Sequence, residues 1–229
     1  MSRRTKEETK SRVLQSAAKL FLNNGYSKTK IADISEDSKI PYTEIFRVCI
    51  DKETILKELV ELVIKCQFEY TNKILSNITS DKMFIYAFQA VLQLNIAESS
   101  EHLREMYVTS YSLHDSSEVI YKTITRKLED VFKEHLPHYQ TKDFFELEIA
   151  TAGIMRGYLT VPCNMYFTMD RKISRFIETT FKLYDVDSNK IREITEFILK
   201  YDFKMMTNEI VNLMYNYFEQ NISNTIKIS

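Results

Sequence analysis

Glycine and proline are nearly missing from this chain, with three of each in 229 residues. Sheets and hairpins depend on turn glycines, so the scarcity predicts long helices with short connections. It also leaves no room for a glycine-rich phosphate loop, and no GxSxG, HExxH or CxxC spacing occurs. Cysteine is equally scarce. Cys49, Cys66 and Cys163 form an odd, scattered set, read as small buried apolar side chains in a reducing compartment. No stretch approaches about 18 unbroken apolar residues, and the N-terminus is charged rather than signal-like, so a soluble cytoplasmic protein is expected. His135 and His138 are close in sequence, but Pro137 breaks the helical register between them. No metal and no cofactor are expected, and the many carboxylates mark no catalytic pair, so an enzyme has no positive support.

Charge is nearly balanced overall but unevenly placed. Residues 1–52 hold 11 Lys/Arg against 7 Asp/Glu, a balance of +4, and the remaining 20 against 25 give −5. A basic N-terminal module on an acidic body suits DNA at one end only. That module contains residues 28 to 56, which read as two short helices, a tight turn and the start of a longer helix. Thr29 is placed as the N-cap of the first, whose apolar stripe is Ile31, Ala32 and Ile34. Ser38 and Lys39 end it, and Pro41 opens the next as its first residue. Tyr42 to Val48 then makes about two turns, with Ile45 and Val48 for the core and Tyr42, Thr43, Phe46 and Arg47 left facing out. This is the pattern of a helix-turn-helix, whose second helix enters the major groove.

The N-terminal quarter of the chain resembles the DNA-binding domain of the TetR family of bacterial transcription regulators. The resemblance runs in order through an amphipathic first helix ending in Phe21, then Asn24-Gly25-Tyr26, Thr29, Ile34, Ile40, Ile45-Phe46-Arg47 and Asp51-Lys52-Glu53. It departs at Lys39, where the family usually has glycine, at Pro41, at Thr43, and at Val48-Cys49 in place of an aromatic pair. A non-glycine residue held left-handed costs about 1–2 kcal/mol, so the turn geometry is expected to differ. The resemblance implies DNA contacts at Thr29, Lys30, Tyr42, Thr43, Phe46, Arg47 and Lys52. Lys28 and Lys39 could add phosphate charge, and Arg3 and Arg4 form a basic arm before the capping-box pair Thr5 and Glu8.

The rest reads as helices throughout. Asp51 caps a long helix running to about Leu75, and further helices follow at 83–97, 101–113, 116–135, 143–167 with a break at Pro162, 170–184, 190–201 and from 203 on. Ser116 or Ser117, Asp187 or Ser188, and Asp202 are the expected caps. The expected fold is all-α with about 9–11 helices. A helix-turn-helix domain spans 1–52, helix 4 (about 52–75) connects, and a larger effector-binding and dimerisation domain spans 53–229. The resemblance implies an effector pocket among the middle helices, for which Phe88, Met106, Tyr107, Tyr111, Tyr121, Met155 and Tyr158 are the candidates. Adaptable Met and Tyr side chains there suit a small, mostly apolar effector, although for any one of them helical core is the first reading. The resemblance further implies a homodimer through residues 143–167 and 203–219, with Gly153 and Gly157 permitting close helix packing. The function implied is a dimeric, sequence-specific repressor released from its operator by a small molecule. The alternative is a helical binding or adaptor protein of the same fold that has lost operator reading.

Overall fold

The computed structural model describes residues 5–224, and in its last helix the side chains of residues 215 and 217–224 are outside the description. Arg3 and Arg4 of the basic arm therefore lie outside the described residues. Eleven helices and no strand make up the described chain: α1 (Lys6–Asn24), α2 (Ile31–Ser38), α3 (Tyr42–Val48), α4 (Lys52–Leu75), α5 (Lys82–Ser99), α6 (Glu101–Ser110), α7 (His114–Phe132), α8 (Thr141–Thr160), α9 (Met169–Leu183), α10 (Ser188–Ile198) and α11 (Phe203–Asn224). The all-α expectation holds. None of the described helices is long and apolar enough to cross a membrane.

Local chemistry explains most boundaries. Thr5 and Glu8 form the expected reciprocal box, with Glu8 N–H donating to Thr5 Oγ1 at 3.1 Å and Thr5 N–H to Glu8 Oε2 at 2.8 Å. Asp51 accepts from Thr54 N–H at 2.7 Å and Asp187 from Asn189 N–H at 2.9 Å. Asp202 accepts from Lys204 N–H at 3.0 Å at the head of α11. Gly25 stops α1 with φ 86°, and a Cβ there would also collide with the Glu105 carboxylate. The positive φ is what requires glycine there, since the Glu105 carboxylate ends a flexible side chain that can shift.

Four local expectations need correction. Thr29 does not cap α2, because its hydroxyl donates to Gly25 O at 2.8 Å and Leu20 O at 3.3 Å. Lys30 is the N-cap, and its backbone N–H donates to Asp33 Oδ2 at 2.7 Å. Ala32 is exposed, leaving Ile34 and half-buried Ile31 to hold α2. Pro41 is the N-cap of α3 rather than its first residue, its carbonyl accepting from Glu44 at 2.8 Å and Ile45 at 3.1 Å. Finally, α7 starts at His114, with Ser116 and Ser117 buried inside it; its first-turn Asp115 N–H donates to Glu53 Oε1 of α4 at 2.9 Å, so no serine cap is needed.

The turn between α2 and α3 keeps the geometry it was expected to lose. Lys39 sits left-handed at φ 57°, ψ 33°. Ser35 Oγ donates to Ile40 O at 2.7 Å and Ile40 N–H donates to Ser38 Oγ at 3.2 Å, pinning the backbone on either side. Ile40 is buried against the core. Full burial of such a side chain is worth about 1.5–3 kcal/mol, enough to offset the left-handed lysine.

α5 is the axle of the body. It is apolar nearly all round, and α4, α6, α7, α8, α9, α10 and α11 all pack on it. α1 joins the N-terminal helices to the body through α4, α6 and α11, so one continuous core runs from Val13 to Met214. α8 stops at Thr160, short of Pro162, because the residue before a proline disfavours the helical region.

Candidate functional site

α3 stands at the surface on a buried Ile45 and a half-buried Val48. Tyr42, Thr43, Phe46 and Arg47 are exposed along it, the first two and Arg47 offering polar groups. Tyr42 is 51 % exposed and Phe46 42 %, an unusual display of two aromatic rings on a seven-residue helix. The rings pack edge to face at 4.8 Å, which orients the Tyr42 hydroxyl without burying it. Lys28, Lys30 and Lys39 are exposed in the same N-terminal segment.

Thr29 and Lys52 are placed differently from the expectation. Thr29 is buried, its hydroxyl committed to the end of α1. Lys52 Nζ donates to Tyr26 O at 3.0 Å and Thr29 O at 3.1 Å and lies 4.0 Å from the Tyr26 ring centroid. Burial lowers its pKa and the nearby Glu105 partly restores it. Both residues brace the α1–α2 loop against the start of α4. Tyr26 is held in the same brace, its phenol pushed up to about 12 by burial, then by Glu53 and Asp51.

A cavity, partly open to solvent, lies between α4, α5, α6, α7 and α8. Its wall is mostly apolar, as a small-molecule site requires. Of the expected lining residues, Met106, Tyr107, Tyr111 and Met155 line it. Phe88, Tyr121 and Tyr158 do not. Phe88 is fully buried against Tyr201 and Phe203, Tyr121 pairs with the exposed Phe145, and Tyr158 packs on Phe167 and Phe176.

The polar members of the wall escaped the sequence reading. Gln67 Nε2 donates to the Tyr107 hydroxyl, and Gln93 Nε2 to the Tyr111 hydroxyl at 3.1 Å. Gln89 and Glu148 also line the cavity, and among the described residues neither amide atom of Gln89 nor Oε2 of Glu148 has a hydrogen-bond partner. Burial pushes the Glu148 carboxyl well above its ordinary range. The signal was present: Glu148 lies four residues from both Phe144 and Ala152, on the buried stripe of α8.

The cavity and the α1–α2 loop share two helices. Leu56 and Leu59 of α4 line the cavity, while Lys52 at its start braces the α1–α2 loop. α6 does the same, with Leu103, Met106 and Tyr107 in the wall. Its outer residues meet the end of α1 and the loop after it: Glu105 Oε1 accepts from Ser27 N–H at 2.9 Å, and His102 Nδ1 lies 3.2 Å from Leu22 O. Among the described residues, no group of three or more His, Cys, Asp or Glu is placed to hold a metal ion.

The all-α fold has a solved counterpart. A solved structure of RolR in complex with resorcinol matches it with a TM-score of 0.65, over 83 % of this chain and 94 % of that one, at 17 % sequence identity. At that identity the likeness speaks for the fold. No family model and no curated protein matches the sequence.

Proposed function

We propose that the chain is a dimeric, sequence-specific DNA-binding transcription regulator of the TetR type, a repressor released from its operator by a small, mostly apolar molecule. The observation that carries this reading is the joining of two sites by two helices. α4 and α6 each line the cavity and each grip the loop ahead of α2 and α3. Filling the cavity favours one arrangement of α4 and α6, and the position of α3 follows. A ligand shifts that equilibrium only by its difference in affinity for the two arrangements. RolR, of like fold, was solved with a small molecule, resorcinol, which supports a ligand role for the body.

The DNA-contact set is Tyr42, Thr43 and Arg47 on α3, with Lys28, Lys30 and Lys39 for phosphate. Phe46 positions the Tyr42 ring, and Thr29 and Lys52 hold the loop. The division at the start of α4 into a DNA-reading domain (1–52) and an effector and dimerisation domain (53–229) follows the same reading. A two-fold partner is needed to read two half-sites, with centres about 34–36 Å apart or a multiple of that. The dimer face runs along α8, where Phe145 and Ile149 are exposed and Gly153 and Gly157 have open space around them. Met205 and Leu213 extend it on α11. A gel shift against the gene's own upstream region tests the operator; no shift at low salt overturns it.

A second reading has one observation in its favour. With Thr29 and Lys52 committed internally and Phe46 without a donor, the polar groups on α3 are few. A helical binding protein without operator reading would retain the cavity alone. Arg47→Ala separates the two, weakening specific DNA binding under the first and changing nothing under the second.

A further inference from the structure

Glu148 is 2 % exposed and lines the cavity, yet its Oε2 has no hydrogen-bond partner and, among the described residues, no lysine or arginine pairs with it. Another shielded carboxylate in the same body shows the contrast. Glu98 receives Lys172 Nζ at 2.8 Å and Arg104 Nη2 at 3.2 Å, and Lys172 is itself buried. A carboxyl taken out of water without a partner is costly, and it is found where a partner arrives from outside or where it stays neutral. Gln89, 6 % exposed, lines the same cavity with both amide atoms unmet.

The groups around Glu148 are phenols. Burial raises the phenols of Tyr86 of α5, Tyr111 at the end of α6 and Tyr184 after α9, and an ionised Glu148 would raise all three further. Lys127 of α7 also lines the cavity, and its Nζ lies 5.6 Å from the Phe68 ring centroid. Phenol faces and one acid are what a desolvated cation needs. A neutral ligand would be served by a glutamine or tyrosine at position 148. Both types already stand in the wall, and neither carries the cost of burying a carboxyl.

We propose that the cavity takes a ligand bearing a cationic nitrogen, which pairs with Glu148 while its body lies among Tyr86, Tyr107 and Tyr111 and a further polar group meets Gln89. The inference rests on the cavity being the effector site. In the empty site burial favours the protonated carboxyl. An arriving cation favours the ionised form, so the carboxyl releases its proton to the buffer and no bond of the ligand changes. Binding therefore carries a signature that a neutral hydroxylated ligand lacks, a release of protons.

The test is calorimetric titration of the full chain with benzyltrimethylammonium and with its uncharged carbon isostere neopentylbenzene. It is run at neutral pH in two buffers of different ionisation enthalpy. The cation is expected to bind at least about tenfold tighter than the isostere and to release protons. Glu148→Gln is expected to lose that preference and leave the isostere unaffected. Equal binding of the two probes, or binding of the cation without proton release, overturns the cationic ligand and keeps the cavity as a ligand site. Binding of neither probe at millimolar concentration overturns both readings. The proton count of the unaltered protein decides the matter even if the variant fails to fold.

Discussion

Glu105 of α6 and Ser27 of the α1–α2 loop are bound to one another: the carboxylate of the first accepts the backbone N–H of the second at 2.9 Å. Burial alone would raise the Glu105 pKa, but hydrogen bonds from Ser27 and Tyr26 outweigh it and the net shift is downward. The loop that holds this contact depends on Gly25. Gly25→Ala should destabilise the protein by about 1–3 kcal/mol through its positive φ, with the Glu105 contact displaced as well. Urea denaturation checks the loss, and an unchanged midpoint would contradict the packing described.

Lys39 is the reverse case. It occupies a left-handed turn without a glycine's freedom. Lys39→Gly should stabilise the chain by about 1 kcal/mol, raising the melting temperature by about 2–4 °C at this chain length. Thermal unfolding followed by circular dichroism reads it directly.

Glu148 predicts a pH dependence with a definite sign. Its folded-state pKa is raised above the ordinary 4.5, so the folded protein holds a proton that the unfolded chain has released. Stability falls as pH rises from the ordinary carboxylate range through the raised value. Glu148→Gln removes that fall. The variant and the parent should be similar near pH 4 and the variant more stable at pH 8, measured by urea unfolding at both values.

Arg47 carries no packing role, being exposed on α3. Arg47→Ala should leave the melting temperature unchanged and weaken specific DNA binding by about 1–3 kcal/mol. Fluorescence anisotropy with a bound duplex and a scrambled one separates the specific loss from a general one.

The helices were legible because their signals are local. Thr5 with Glu8, Asp51, Asp187 and Pro162 each mark a boundary through chemistry within a few residues. What failed was non-local. Thr29 resembles a cap until Gly25 and Leu20 carbonyls claim its hydroxyl, and Ser117 resembles one until Glu53 reaches across from α4. In the cavity, aromatic content pointed to Tyr107 and Tyr111 but also to Phe88, which is plain core. The more telling residues were Gln89 and Glu148, polar side chains at apolar register. Such misfits carry more functional information than another aromatic in an aromatic-rich body.

Selection of bound duplexes from random DNA by the full-length protein at low salt tests the central claim most directly. The account predicts a recovered inverted repeat, with half-site centres about 34–36 Å apart or a multiple of that. Recovery of no enriched sequence, or of one without two-fold symmetry, would contradict it.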